Sequence, residues 1–257
     1  MARIHLMEWE DQAWFPKNLR SFATDFLEFL AARTKMFEPI EADLVAILKN
    51  SKEPHIVDLA SGAGGALLTM AERLQAKIPD LKITFSDYYP HPEMASRLGP
   101  LKGLSYHPQP VDARQVPESL KGLRTLFLSF HHFRPEEAVK ILSNAVQEGE
   151  PIAIFEGQER SLPSIMAMLF SPISLWFSTP FIRPFKWSRL LFTYLIPVLP
   201  LMVLWDGVVS SLRTYSIKEL KELVALVPGG DEYDWQIGKK QSGPAKILYL
   251  IGQKKEV

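Results

Sequence analysis

The sequence has no cysteine, which excludes disulfides, thiolate zinc sites and cysteine nucleophiles and is compatible with a reducing compartment. It also lacks a net charge, because 29 Lys and Arg balance 29 Asp and Glu. No global field therefore draws it to nucleic acid, and no basic stripe interleaved with aromatics runs through it. Residues 1–15 carry Glu8, Glu10 and Asp11 and lack an uninterrupted apolar core, so they do not read as a secretory signal. Cytoplasmic residence is the expectation. There is no fixed-period repeat and no low-complexity tract. At 257 residues the chain suits one α/β domain with an insertion and is short for two. The expected division is a helical cap (1–50), a core (51–160), an apolar helical insertion (161–206) and a last helix with a closing strand pair (207–257).

What is present begins with Asp58-Leu-Ala-Ser-Gly62-Ala-Gly64-Gly65, directly after the apolar run His55-Ile-Val57 and before Ala66-Leu-Leu-Thr-Met-Ala-Glu-Arg-Leu74. An acid and clustered glycines thus sit where a buried strand turns into a helix, and glycine lets a ligand lie against the main chain. Leu81-Lys-Ile-Thr-Phe-Ser-Asp87 reads as a second strand ending in a carboxylate, at the spacing where doubly wound folds hold ribose hydroxyls. Asp112 lies in a turn before the strand Leu123–Ser129, so three acids fall at three successive strand ends. A dinucleotide fingerprint needs a third glycine where this chain has Leu67, and Asp58 would suit an ammonium better than a pyrophosphate.

These motifs resemble the class I S-adenosylmethionine-dependent methyltransferases from about His55 to Arg160, and again from about Thr214 onward. Glu8-Trp-Glu-Asp11 and Trp14-Phe-Pro16 are similar to the start of an uncharacterised bacterial branch of them. The chain departs from the usual signature at Ala60, where a glycine is the rule. The resemblance implies S-adenosyl-L-methionine as cofactor and S-adenosyl-L-homocysteine as product. It places Asp58, Gly62 and Gly64 around the methionine part, Asp87 on the ribose, and Asp112 with the Ala113 backbone on the adenine. Ala60, Tyr88 and Ser129 complete the expected cofactor set, and no metal is expected.

Strands near Ile56, Ile83, Tyr106, Leu126 and Ile152 alternate with helices at Ala66–Gln75, Pro92–Leu98 and Pro135–Gln147. That alternation predicts a Rossmann-like, doubly wound α/β sheet, mostly parallel. Tyr233–Ile237 and Ala245–Ile251, joined by a loop with Gly243 and Pro244, close it as an antiparallel pair, for seven strands. Two amphipathic helices, Lys17–Thr34 and Glu38–Leu48, precede the sheet. A helix from Ser216 to Ala225 begins with Ser216 as N-cap and Glu219 three residues on.

Leu162–Ile182 has no charged residue, and a second apolar run covers Leu190–Trp205. Either is long enough to approach a bilayer span, but Pro163, Pro172, Pro180, Pro197 and Pro200 interrupt them. A helical hairpin is expected, serving as a lid over an apolar substrate, as a contact with the membrane surface at its inner face, or as a homodimer interface. Arg183, Lys186 and Arg189, set among aromatics, suit a headgroup boundary or a solvated connecting turn.

If the acceptor is a hydroxyl, its proton needs a base. Candidates at strand ends are His132, first choice because the resembling small-molecule enzymes often place a histidine there, then His131 and Glu156. Tyr215, Arg213 and Asp206 could line the acceptor pocket, although packing roles suit them too. Asn-Pro-Pro-Tyr, the signature for amide and ring nitrogens, is replaced by Ser129-Phe-His-His132. The sequence therefore predicts methylation, preferably on oxygen, of a small lipophilic or amphiphilic acceptor. An NAD(P)-dependent oxidoreductase and a non-catalytic membrane-associated binding protein of the same fold are the alternatives.

Overall fold

The β-branched and aromatic runs at Ile56, Ile83 and Ile152 form the centre of one seven-stranded sheet in a computed structural model. It describes all residues except Ala13, Asn50, Lys52, Ala63, Pro244, Glu256 and Val257, and the backbone alone of Pro92. The strands are β1 (His55–Asp58), β2 (Lys82–Phe85), β3 (Leu104–Tyr106), β4 (Leu123–Phe127), β5 (Ile152–Glu156), β6 (Tyr233–Ser242) and β7 (Ala245–Lys254). Their order is β3-β2-β1-β4-β5-β7-β6. The first five are parallel, and β7 enters antiparallel between β5 and β6. Reversal of strand order between β1 and β4 opens a crevice at their carboxyl ends, where such folds bind ligands. The closing pair is longer than its apolar pattern suggests, and of the loop that joins it Pro244 lies outside the described residues.

Side chains alternate across the sheet and fill two cores. Ile56, Ile83 and Phe155 pack with Leu44, Leu67 and Leu74 on one face. Val57, Leu126 and Ile154 pack with Ile141, Leu142 and Leu220 on the other. The first layer comes from α2 (Glu41–Lys49), α3 (Gly65–Leu68) and α4 (Ala71–Lys77). The second comes from α6 (Pro135–Glu148) and α11 (Ile217–Ala225), while Met94 and Leu98 of α5 (Pro92–Leu98) join the first core. The helix expected over Ala66–Gln75 is divided by Met70, whose φ of −114° leaves helical geometry, and Glu38–Ile40 is a single tight turn before α2. At α11 the Ser216 hydroxyl accepts from the Glu219 N–H while Glu219 accepts from the Ser216 N–H at 2.8 Å, so both orphan donors are satisfied.

A third core joins the front of the chain to the insertion: Phe22 and Phe26 of α1 (Lys17–Thr34) pack against Leu175, Ile182, Leu199 and Met202. The insertion comprises α7 (Leu162–Leu169), α8 (Ser171–Ser178), α9 (Trp187–Leu190), a wide turn at Leu191–Leu195, and α10 (Val198–Arg213). It is not the expected simple hairpin. α7 and α8 meet at a 41° bend, and α9 with its wide turn meets α10 at 79°. No single helix is long and apolar enough to cross a membrane. Pro163 and Pro172 occupy first turns, where the missing N–H has no partner to lose, so these prolines start helices instead of breaking them. The boundary expected between 206 and 207 falls inside α10.

The insertion's cations also differ from expectation. The Lys186 ammonium lies 3.1 Å from Asp25, and the buried Arg189 guanidinium pairs with the same carboxylate. Two of the three basic residues therefore face inward and tie the insertion to α1. Arg183 alone stays exposed, donating to the Pro180 carbonyl at 3.2 Å.

Candidate functional site

The Gly-rich turn places its backbone at the carboxyl end of β1. Ala60, where the related signature carries glycine, has φ +51°, a left-handed conformation that costs an alanine and explains why glycine is the usual residue there. The Gly62 N–H donates to Asp87 Oδ2 at 2.8 Å, and the Tyr89 N–H donates to Oδ1 at 2.8 Å. Asp87 thus fixes the turn while facing a cavity of about 420 Å³. Ala60, Gly62, Asp87, Tyr88, Asp112 and Ala113 all line that cavity, as do Ser129 and His132. The Ser129 hydroxyl is buried there and has no hydrogen-bond partner among the described residues. Asp112 is held by Arg114, whose guanidinium also reaches Glu137 at 2.7 Å; this pairing keeps the Asp112 carboxyl below its usual range.

Two expected residues are not on the wall. Asp58 is buried beneath it, accepting from the Thr125 hydroxyl at 2.6 Å. Burial pushes its carboxyl up to about 8, partly offset by that hydrogen bond and reinforced by the Asp87 charge. Gly64 is required for packing: at φ +88°, a Cβ there would meet the Met94 methyl at 3.0 Å and Leu68 at 3.3 Å.

A second cavity, about 600 Å³, adjoins the first, and Glu10, Leu27 and Leu128 line both. Its walls are α1, the loop after β5, and the inward faces of α7, α8 and α10, with His131 and Asp206 among them. The apolar insertion therefore roofs a chamber beside the nucleotide-type crevice.

His131 and His132 stand between these spaces, their rings 4.2 Å apart, yet in different surroundings. His131 Nδ1 lies 2.9 Å from Glu156, and the His131 backbone N–H donates to the same carboxylate at 2.9 Å. Its buried Nε2 makes no hydrogen bond among the described residues and lies 3.9 Å from Glu8 Oε1. Glu156 itself is buried at the end of β5 and lines neither cavity. His132 Nδ1 lies 2.9 Å from Asp11 and 3.4 Å from Glu8. Burial alone would lower its pKa, but Glu8, Asp11 and Glu10 together push it up to about 10. The expected first-choice base is therefore an imidazolium at neutral pH, with no site free to take a proton.

The residues that sequence reasoning missed come from the opening segment. Glu8 is fully buried, with Arg213 Nη1 at 3.3 Å. Arg213 also donates to Asp11 at 2.6 Å and to the Leu6 carbonyl at 2.7 Å. Asp206 accepts the Trp9 and Glu10 N–H groups at 2.8 and 3.3 Å. Arg3 reaches the carbonyls of His131 and Phe133. The only local signal was the run of acids beside Trp9. Glu8, His131 and His132 bring three ligand atoms within 4.8 Å of one another, but the Arg213 guanidinium shares that ground and disfavours a second cation.

No protein-family model and no curated protein matches the sequence. Solved structures do match. The plantazolicin methyltransferase BpumL, in complex with S-adenosylhomocysteine, is 13% identical with a TM-score of 0.62, over 96% of this chain and 94% of that one. The O-methyltransferase NcsB1 from neocarzinostatin biosynthesis, in complex with S-adenosylmethionine and 2-hydroxy-5-methyl naphthoic acid, is 17% identical with a TM-score of 0.53. It is matched over 96% of this chain, which spans only 61% of that enzyme. A chain provisionally described as a zinc-dependent alcohol dehydrogenase from Rhodobacter sphaeroides is 9% identical with a TM-score of 0.51, over 88% of this chain and 98% of that one. At these identities the likeness is one of architecture, and together with the observed strand order it gives the chain the class I methyltransferase fold, here with two adjoining cavities at the strand ends.

Proposed function

We propose that the protein is an S-adenosylmethionine-dependent methyltransferase acting on a small lipophilic or amphiphilic acceptor, preferably at oxygen. The observation that carries this reading is the shared wall between the two cavities, one lined by the Gly62–Asp87–Asp112 constellation and the other by His131 and apolar side chains. The unpartnered Ser129 hydroxyl on the first wall supports a polar ligand there, since buried polar groups ordinarily have partners. Asp87, Gly62, Tyr88, Asp112, Ala113 and Ser129 would hold the cofactor. When bound, it supplies an electrophilic methyl group and leaves as S-adenosylhomocysteine. Leu67, wholly buried in the core, stands where a dinucleotide site needs glycine, which favours this reading over a nicotinamide one.

The protein's own contribution is alignment and exclusion of water. His131 donates its Nδ1–H to Glu156, which leaves Nε2 unprotonated and free to take the acceptor hydroxyl proton. Glu156 is then a positioning residue, and His132 a fixed cation that balances Glu8, Glu10 and Asp11. Calorimetric titration with S-adenosylmethionine, its demethylated product and NAD tests the cofactor; preference for NAD overturns the proposal. His131→Asn should keep cofactor affinity and lower methyl transfer by about 10²- to 10⁴-fold, and unaltered turnover would remove the base.

The outer surface of the insertion supports a peripheral membrane contact. Phe177 and Phe181 are each 66% exposed, Trp187 78% and Leu195 76%, more apolar surface than a lone soluble chain ordinarily shows to water. Liposome flotation of the intact chain against a Phe177→Ser, Phe181→Ser, Trp187→Ser variant tests it. Equal behaviour, with a dimer seen by light scattering, would make the same surface a subunit interface.

A further inference from the structure

We propose that the second cavity selects an amphiphile bearing a cationic amine close to its acceptor group, with Glu10 and Asp206 as the counter-charge. This rests on the methyltransferase reading and narrows its substrate class. The cavity is mainly apolar, with Phe26, Leu30, Met168, Met202 and Val203 on its walls, but three carboxylates also face it: Glu10, Glu159 and Asp206. Glu159 is accounted for, since Lys239 pairs with it and Lys246 lines the same end.

Glu10 and Asp206 are different. Among the described residues neither has a Lys or Arg within ion-pair distance. Asp206 is 7% exposed and receives only the backbone N–H groups of Trp9 and Glu10. Glu10 has His132 Nε2 at 3.7 Å, but His132 already serves Asp11 and Glu8. Arg213, the nearest guanidinium in this cluster, is committed to Glu8 and Asp11. Burial, together with the other acids, raises the pKa of both groups, Asp206 to about 7.

Two carboxylates in an apolar chamber, one with no counter-ion and the other sharing a single imidazolium with two more acids, are costly, and a ligand cation lowers that cost. An independent observation points to a polar ligand at the same place: His131, only 2% exposed, lines this cavity, and its Nε2 makes no hydrogen bond among the described residues, with the Glu8 carboxylate 3.9 Å away. A long-chain amino alcohol satisfies all three features. Its ammonium meets Glu10 and Asp206, its hydroxyl reaches His131, and its chain runs along α1, α8 and α10. A fatty acid would bring a third negative charge to the same corner and is disfavoured.

The test is calorimetric binding of dodecylamine, dodecanol and dodecanoate, below their micellar concentrations, to the intact protein with S-adenosylhomocysteine present. Dodecylamine should bind about tenfold or more tighter than dodecanol, and dodecanoate weakest. Asp206→Asn should erase the preference for amine over alcohol while leaving S-adenosylhomocysteine affinity unchanged, and Glu10→Gln, at a residue that borders both cavities, should separately erase the same preference. Glu10→Gln gives a second readout because no backbone group depends on its side chain among the hydrogen bonds described. Equal binding of amine and alcohol, or a preference that survives both substitutions, overturns the inference. Amine preference without any binding of S-adenosylhomocysteine would instead sink the methyltransferase reading and leave the cationic site standing.

Discussion

The sheet and the insertion solve opposite problems. β4 and β5 are buried along their whole length, with both faces covered by helices, as parallel strands require. α7, though rich in apolar residues, has none fully buried, because one side borders the second cavity and the other faces outward. In the first region hydrophobicity makes a core. In the second it makes a container, whose interior and exterior are both left for something other than this chain to cover. The first crevice is correspondingly built from backbone and short loops at strand ends, whereas the second cavity is put together from segments almost 200 positions apart, as the Trp9–Asp206 bond shows.

The strongest way to break this contrast is to remove the polar clamp that holds the second cavity together. Arg213→Met removes the guanidinium that pairs with buried Glu8 and with Asp11 and should cost about 3–5 kcal/mol in urea denaturation; a loss under 1 kcal/mol would mean that the opening segment does not depend on α10. Next is Asp87→Ala, which removes the acceptor for the Gly62 and Tyr89 N–H groups as well as the expected ribose contacts. Affinity for S-adenosylhomocysteine should fall by about 2–3 kcal/mol, and an unchanged isotherm would displace the cofactor from this crevice.

A pH experiment separates the regions further. The Asp58 pKa is raised in the folded chain, so its contribution to stability is fully present below the unfolded carboxyl pKa of about 4 and is lost as pH rises through about 8. Asp58→Asn should therefore flatten the stability profile between those limits, a change on the order of one kcal/mol per pH unit within the window. Parallel profiles for the two proteins would contradict the burial argument. The smallest effect belongs to the sheet's own periphery: Ser216→Ala should cost about 1 kcal/mol by removing the α11 cap, without touching ligand binding on either side.

Much of the sheet was legible in the sequence because its signals are local. Short apolar runs alternating with helices gave β1, β2, β4 and β5, the glycines marked the turn, and Ser216 with Glu219 marked a helix start. Of the residues expected to hold a cofactor, Ala60, Gly62, Asp87, Tyr88, Asp112, Ala113 and Ser129 line one cavity. The misplaced pair, Asp58 and Gly64, shows the limit: residue type told that an acid and a glycine were needed, but not whether ligand or protein required them. The two histidines illustrate it more sharply. They are neighbours in sequence, and the opening segment sets three carboxylates at 2.9 to 3.7 Å from His132 but only Glu8, at 3.9 Å, beside His131 Nε2. Such pairings leave no periodic trace. The prolines of the insertion misled for a related reason, since position within a helix, and not proline itself, decides whether one breaks or begins.

The bonds from Arg3, Glu8, Trp9 and Asp11 to Asp206 and Arg213 carry a consequence for biosynthesis. Residues 3–11 are made well before α10 and must wait for it before they find their places. The β1–β5 portion also precedes α10 in the chain and can take shape while this opening stretch is still unplaced, so the second chamber closes only once α10 has been made.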